Sequence, residues 1–209
     1  ILSHEAETTN ALFNMIDRYY QNVPELLRPI TEIANRRKFR FAQTQSDYSI
    51  GTAGNEDVGR GTTIQLFHGS EVAAWGNTDE IETGILQAVP DLDDTEIILE
   101  STARGMGNLF YDKCMDALEG KTDYEIVFIP WFWQTEYRRS VPDGFVLSEE
   151  EAIYKETYSL DTEQMVWRRW KIADLKSEWK FKQEYPANVM EAFQTSGDTF
   201  NSQQAIMRA

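Results

Sequence analysis

Thr63-Ile64-Gln65-Leu66-Phe67-His68-Gly69-Ser70-Glu71 is an apolar, β-like run that ends on a lone carboxylate, with Val72-Ala73-Ala74-Trp75 behind it. A glutamate at a strand tip is placed to activate water, because ligand crevices in α/β sheets open outside the carboxyl edge. Gly69 and Ser70 are small and leave backbone room there. In a nucleotide hydrolase such a glutamate polarises the water that attacks the γ-phosphate, and Ser70 would take the magnesium-side position, acting on the metal through water. Spacing alone leaves a second reading open, in which Glu71 only caps the helix that follows.

Glu100 closes a second apolar strand, Thr95-Glu96-Ile97-Ile98-Leu99-Glu100, so two strands can each bring a carboxylate to one edge. Paired carboxylates suit a two-metal nuclease as well as an ATPase. A nuclease would want a third acidic strand end, and Asp93, Asp94 and Asp112 are poorly placed to supply it. Ser101 and Thr102 follow directly and offer small hydroxyls that can sense a γ-phosphate, or they begin an ordinary strand-to-helix loop. Neither Ser70 nor Ser101 lies in G-x-S-x-G, which argues against a serine hydrolase. Gly54-Asn55-Glu56-Asp57-Val58-Gly59-Arg60-Gly61 nearly fits a phosphate loop, but Arg replaces Lys and Gly replaces the hydroxyl residue. A phosphate loop must open a helix, whereas a β-like run follows here. The segment is then a flexible connection or a loop that presents Arg60.

The elements that must position these residues alternate along the chain. Ser3 stands where an N-cap would, and Leu12, Met15, Ile16, Tyr19 and Tyr20 recur at helical spacing, which predicts a helix over 4–21. Pro24 to Asn35 reads as loop or broken helix, and 38–42 and 62–68 read as strands. Helical pattern returns at 79–88 and at 108–118, with strands at 95–100 and 125–131. Strands and helices alternating in this way predict a three-layer α/β fold with a mainly parallel sheet. Beyond Pro142-Asp143-Gly144, Ser148-x-x-Glu151 and Asp161-x-x-Gln164 are capping boxes for two helices, read as a hairpin laid against the sheet. Regular pattern ends at Gln183-Glu184-Tyr185-Pro186, and 187–209 reads as a linker.

Composition narrows the class. With 41% hydrophobic residues, six Trp, nine Tyr and eleven Phe, the chain is globular, and no apolar run approaches the roughly 20 residues that span a bilayer. Cys114, His4 and His68 are too few for a disulfide framework or a Cys/His metal cluster. A formal charge of −15 argues against this piece alone gripping a nucleic-acid backbone. Two basic clusters, Arg36-Arg37-Lys38 and Arg168-Arg169-Trp170-Lys171, are either solvated faces or contacts to a phosphate or neighbouring subunit. The chain opens on Ile1-Leu2-Ser3 as if at the end of a strand, which is expected of a piece cut from a longer protein.

Taken in order, Ile1-Leu2-Ser3-His4, Gly59-Arg60-Gly61, Leu66 to Trp75, Leu99-Glu100-Ser101-Thr102-Ala103-Arg104-Gly105, Phe128-Ile129-Pro130-Trp131, Gln183-Glu184-Tyr185-Pro186 and Glu191-Ala192-Phe193 resemble the large terminase subunit of tailed bacteriophages. That resemblance implies the DNA-packaging ATPase fold: a P-loop NTPase of the type with a catalytic Glu beside the Walker B strand, incomplete at its N-terminus, plus a C-terminal helical subdomain. It implies a partial ATPase core over 1–140, a helical lid over 141–186, and a linker over 187–209 toward an RNase H-like nuclease domain. Glu71 then matches the Walker B catalytic Glu, with Ser70 where many relatives carry Asp. Ser101, Thr102 and Ala103 match the motif that couples hydrolysis to movement, and Arg60 matches an arginine finger.

ATP and Mg²⁺ are the implied cofactors. The implied partners are double-stranded DNA, the portal protein, the small terminase subunit and further copies in a ring, with no membrane. The implied location is the host cytoplasm and, transiently, the procapsid portal. The Walker A loop would precede Ile1, so the piece alone is expected to be inactive. The alternatives are a non-catalytic portal or capsid interaction module and a two-metal nuclease.

Overall fold

The computed structural model describes residues 1–35, 37–54, 63–76 and 78–193. In chain order its elements are β1 (Leu2–Ser3), α1 (Ala6–Asn22), β2 (Thr31–Asn35), β3 (Lys38–Phe41), β4 (Asp47–Ser49), β5 (Gly51–Thr52), β6 (Leu66–Ser70), α2 (Thr78–Gly84), β7 (Glu96–Glu100), α3 (Leu109–Leu118), α4 (Glu149–Thr157), α5 (Thr162–Leu175), α6 (Glu178–Glu184) and α7 (Val189–Ala192). They divide into two compact units, Ile1–Ser101 and Thr102–Ala209. The boundary between these units falls at 101/102.

In the first unit four strands form an all-parallel sheet in the order β5-β1-β6-β7. This is an α/β fold, compatible with three layers. Gly51, Leu2, Gly69 and Leu99 lie abreast in the ladder, and Thr52 beside Ser3 and Ser70 beside Glu100 make the next step. Thr9 of α1 ties its hydroxyl to the Gly51 carbonyl at 3.2 Å and to the Thr52 hydroxyl at 3.0 Å, fixing the helix to the β5 side. Ser3 is not the N-cap: it lies buried in β1, and α1 starts after Glu5 without a side-chain cap.

The second sheet, β2-β3-β4, is antiparallel, a feature the expected parallel architecture lacked. β2 lies where loop or broken helix was expected, since its residues are mostly exposed and carry little apolar alternation. Arg40 and Lys38 of β3 both reach Asp47 of β4, at 2.7 and 2.8 Å. The two cations, Arg40 foremost, hold the Asp47 carboxyl well below the usual range. Phe13, Ile16 and Tyr20, at helical spacing on α1, bury against Phe39, Phe41, Tyr48 and Ile50. Phe13 stacks on Phe39 at 5.2 Å, while Tyr19, expected on the same apolar face, is exposed.

The second unit is built on aromatic packing. Trp131, Leu160, Met165, Trp167, Phe181 and Ala187 form its larger core, with Trp131 stacked on Trp167 at 5.2 Å and Tyr137 on Trp167 at 4.3 Å. Both predicted capping boxes are present, and each closes reciprocally between Ser148 and Glu151 and between Asp161 and Gln164. The helices they start, α4 and α5, pack with α6 on this unit's own aromatic cluster.

Residues 125–130 alternate in exposure as a strand does but have no ladder partner among the described residues, and a 3-10 turn follows at Trp131–Trp133. The strand expected there is an extended segment instead. Nor do residues 187–193 begin a linker. Asn188 caps α7, and Ala187, Ala192 and Phe193 are buried, the last two around Ala103. The rest of that segment, 194–209, lies outside the described residues.

Candidate active site

The strand order sets the location. From β1 the chain builds β5 on one side, then β6 and β7 on the other, so the direction of winding reverses between β1 and β6. Open parallel sheets bind ligands at such a reversal, outside the carboxyl ends. Ser3-His4 leaves β1 there and Ser70-Glu71 leaves β6.

β6 ends two residues beyond the expected 68, which places Ser70 in the strand and Glu71 at its tip. Glu71 has φ 57° and ψ 45°, the left-handed region that costs an L-residue about 1–2 kcal/mol. Among the described residues three other non-glycine residues share a positive φ: Gln45 lies in the β3–β4 turn, Ser159 follows α4, and Lys176 closes α5. Those are ordinary hairpin and helix-end positions, whereas Glu71 leaves a buried parallel strand. Its side chain makes no capping bond to the 3-10 turn Val72–Ala74, so the helix-cap reading loses its physical content. Glu71 is half-buried at the edge.

Backbone contacts hold the tip. Ala74 N–H donates to the Glu71 carbonyl at 2.9 Å, and Trp75 N–H to the Val72 carbonyl at 3.1 Å. The Trp75 indole N–H turns back and donates to the Ser70 carbonyl at 3.0 Å, in a buried setting. Its ring lies on Gly69, where an added Cβ would stand 2.6 Å from Trp75 Cη2. Ser101, just past β7, accepts a hydrogen bond from Ala73 N–H at 3.2 Å on its Oγ. The structure thus gathers Ser70, Glu71 and Ser101 at one edge, with the Ser101 hydroxyl bonded to the very turn that presents Glu71.

Thr102 is exposed and Ala103 is buried beside Ala192 and Phe193, both in the second unit. Arg60 lies outside the described residues, as does Gly59-Arg60-Gly61 as a whole. Glu100 stands opposite Ser70 in register, but His68 Nε2 is 3.5 Å from its carboxylate. Among the described residues no three His, Cys, Asp or Glu side chains converge as a metal site.

Two groups at this edge were not read from the sequence as site residues. Ser3 Oγ and His4 Nδ1 are buried and lack a hydrogen-bond partner. Trp75 is the other, legible only as one more apolar residue after the strand.

The second basic cluster is used internally. Arg168 is 6% exposed, pairs with Glu178 at 3.0 Å and lies over the Tyr154 ring at 4.2 Å. Arg169 pairs with Glu151 and covers Phe145, and Lys171 pairs with Asp174 at 3.0 Å. These cations serve the unit's own packing. Of the first cluster, Lys38 pairs with Asp47 and Arg36 lies outside the described residues.

Among the described residues no helix is long and apolar enough to cross a membrane. Set against known proteins, the sequence matches no family model and shows no significant similarity to a curated protein.

Proposed function

We propose that this chain is part of a terminase-like DNA-packaging motor, in which Glu71 orients the water that attacks the γ-phosphate of Mg²⁺-bound ATP. The observation that carries the reading is the state of Glu71: left-handed, half-buried, free of any capping bond, and at the winding reversal of an all-parallel sheet. Backbone strain of this kind persists where the surroundings over-determine it, and it concentrates at catalytic edges. A carboxylate held there can accept a proton from water in line with a bound phosphate.

In this reading the phosphate loop is supplied by sequence outside the 209 residues. β7 supports that arrangement, since among the described residues it pairs only with β6 and leaves its other edge open. Ser101 senses the γ-phosphate, and its bond to Ala73 N–H gives it a route to the Glu71 turn. Thr102 and Ala103 carry the chain directly into the second unit, so the coupling segment is the covalent passage between the two. Loss of the γ-phosphate is thereby linked to movement of double-stranded DNA by a ring of such subunits at a portal. Arg60 acts on a neighbouring subunit's nucleotide, and Ser70 contacts the magnesium through water.

The test is Glu71→Gln in the intact protein, assayed for DNA-stimulated ATP turnover and for ATP binding. Turnover should fall by about 10²–10⁴-fold, the usual worth of a general base, with binding retained. Turnover at the unmodified rate would refute the assignment.

A further inference from the structure

We propose that Trp75 is a positioning residue for Glu71, a role that rests on the catalytic reading of that carboxylate. A left-handed residue between a strand and a 3-10 turn needs both neighbouring peptides fixed, or it relaxes into the right-handed helical region. On the C-terminal side the turn's own bonds, Ala74 N–H to Glu71 O and Trp75 N–H to Val72 O, supply the restraint. On the N-terminal side the peptide joining Ser70 to Glu71 is held by the Trp75 indole N–H on the Ser70 carbonyl.

That bond closes the chain from Ser70 to Trp75 into a ring whose only strained member is Glu71. The indole is kept in place by packing. It is 7% exposed, rests on the bare Cα of Gly69, and meets Phe67 edge-on at 6.4 Å and 74°. Without the N–H, the buried Ser70 carbonyl would lose this donor, and rotation of the Ser70–Glu71 peptide would turn the carboxylate toward the N-terminus of the 3-10 turn. Glu71 would then become the cap that it is not in this structure. Gly69 and Trp75 thus work as a pair, one giving the room and the other the hydrogen bond.

The experiment replaces Trp75 in the intact protein by 3-benzothienylalanine, which keeps the indole's shape and exchanges only the N–H for sulfur, with Trp75→Phe as the second variant. ATP turnover is measured as kcat and KM, and the backbone at residue 71 is read from a crystal structure of each variant. The expected result is a kcat at least tenfold lower with KM within twofold, and Glu71 outside the left-handed region.

A kcat within twofold of the unmodified protein, in a preparation where Glu71→Gln is inactive, would overturn the positioning role and leave the catalytic reading standing. If Glu71→Gln itself retains turnover, the catalytic reading fails instead. The backbone at residue 71 then decides the role of Trp75: a φ still in the left-handed region without the indole N–H overturns it, and a relaxed Glu71 supports it.

Discussion

The carboxyl edge of the parallel sheet and the aromatic core of the second unit are built on opposite terms. Around Trp131 and Trp167 local preferences and tertiary contacts largely agree: both capping boxes close, Arg168 and Arg169 find carboxylates and rings although Arg168 Nε is buried without a partner, and the aromatic rings interlock. At the sheet edge they conflict. Glu71 is left-handed where a parallel strand passes into a 3-10 turn and makes no side-chain capping bond to that turn, and Ser3 and His4 hold buried polar atoms without partners. Proteins tolerate such inconsistency at sites that do chemistry and offset it with consistency elsewhere. The difference teaches where to look for stability in this molecule and where to look for function.

The contrast predicts a graded set of responses. Trp131→Ala should cost about 3–5 kcal/mol in urea unfolding followed by tryptophan fluorescence, because a ring packed on Trp167 and Phe181 leaves a cavity that its neighbours cannot fill. A loss under about 1 kcal/mol would show that this core is not where stability resides.

Gly69→Ala should cost about 1–3 kcal/mol by overpacking, since the new methyl would meet the Trp75 ring at 2.6 Å. The same unfolding assay on that variant would contradict the packing of Trp75 on β6 if stability were unchanged.

A smaller, pH-dependent effect belongs to Glu191. Burial raises its carboxyl above the ordinary value, while the Ala187 N–H at 2.5 Å and the nearby Lys182 and Arg168 oppose the shift. A raised carboxyl contributes stability while protonated, below its unfolded value of about 4.3, and that contribution is lost as pH rises through the raised value. The stability of the unmodified chain should therefore decline over that window relative to Glu191→Gln, read from unfolding curves at a series of pH values. Parallel pH profiles for the two chains would contradict it.

What could be read from the sequence follows the same division. The helix starts at Ser148 and Asp161 were legible because a capping box is local chemistry, written within four residues. β6 and β7 were legible as apolar runs, and their parallel pairing as alternation with helices. β2 was not, because a strand exposed on both faces carries no apolar alternation, and the 125–130 segment misled because period-two exposure does not require a partner strand. At the site, Glu71 and Ser101 were visible as residue types at strand ends. Their connection was not, since a hydrogen bond from Ala73 N–H to Ser101 Oγ spans 28 positions and a left-handed φ leaves no mark on a Glu. The return of Trp75 onto Gly69 is likewise a tertiary event, hinted at only by a glycine within an apolar strand.

The most direct measurement is the unfolding free energy of Glu71→Gly in the 209-residue chain. If Glu71 is held in a left-handed conformation for chemistry, glycine relieves that strain and the variant should be more stable by about 0.5–1 kcal/mol, the left-handed penalty less glycine's entropic cost. If Glu71 instead serves the fold as a cap, removing its side chain should lower stability by about 0.5–2 kcal/mol, and that result would contradict the reading of this edge as a catalytic one.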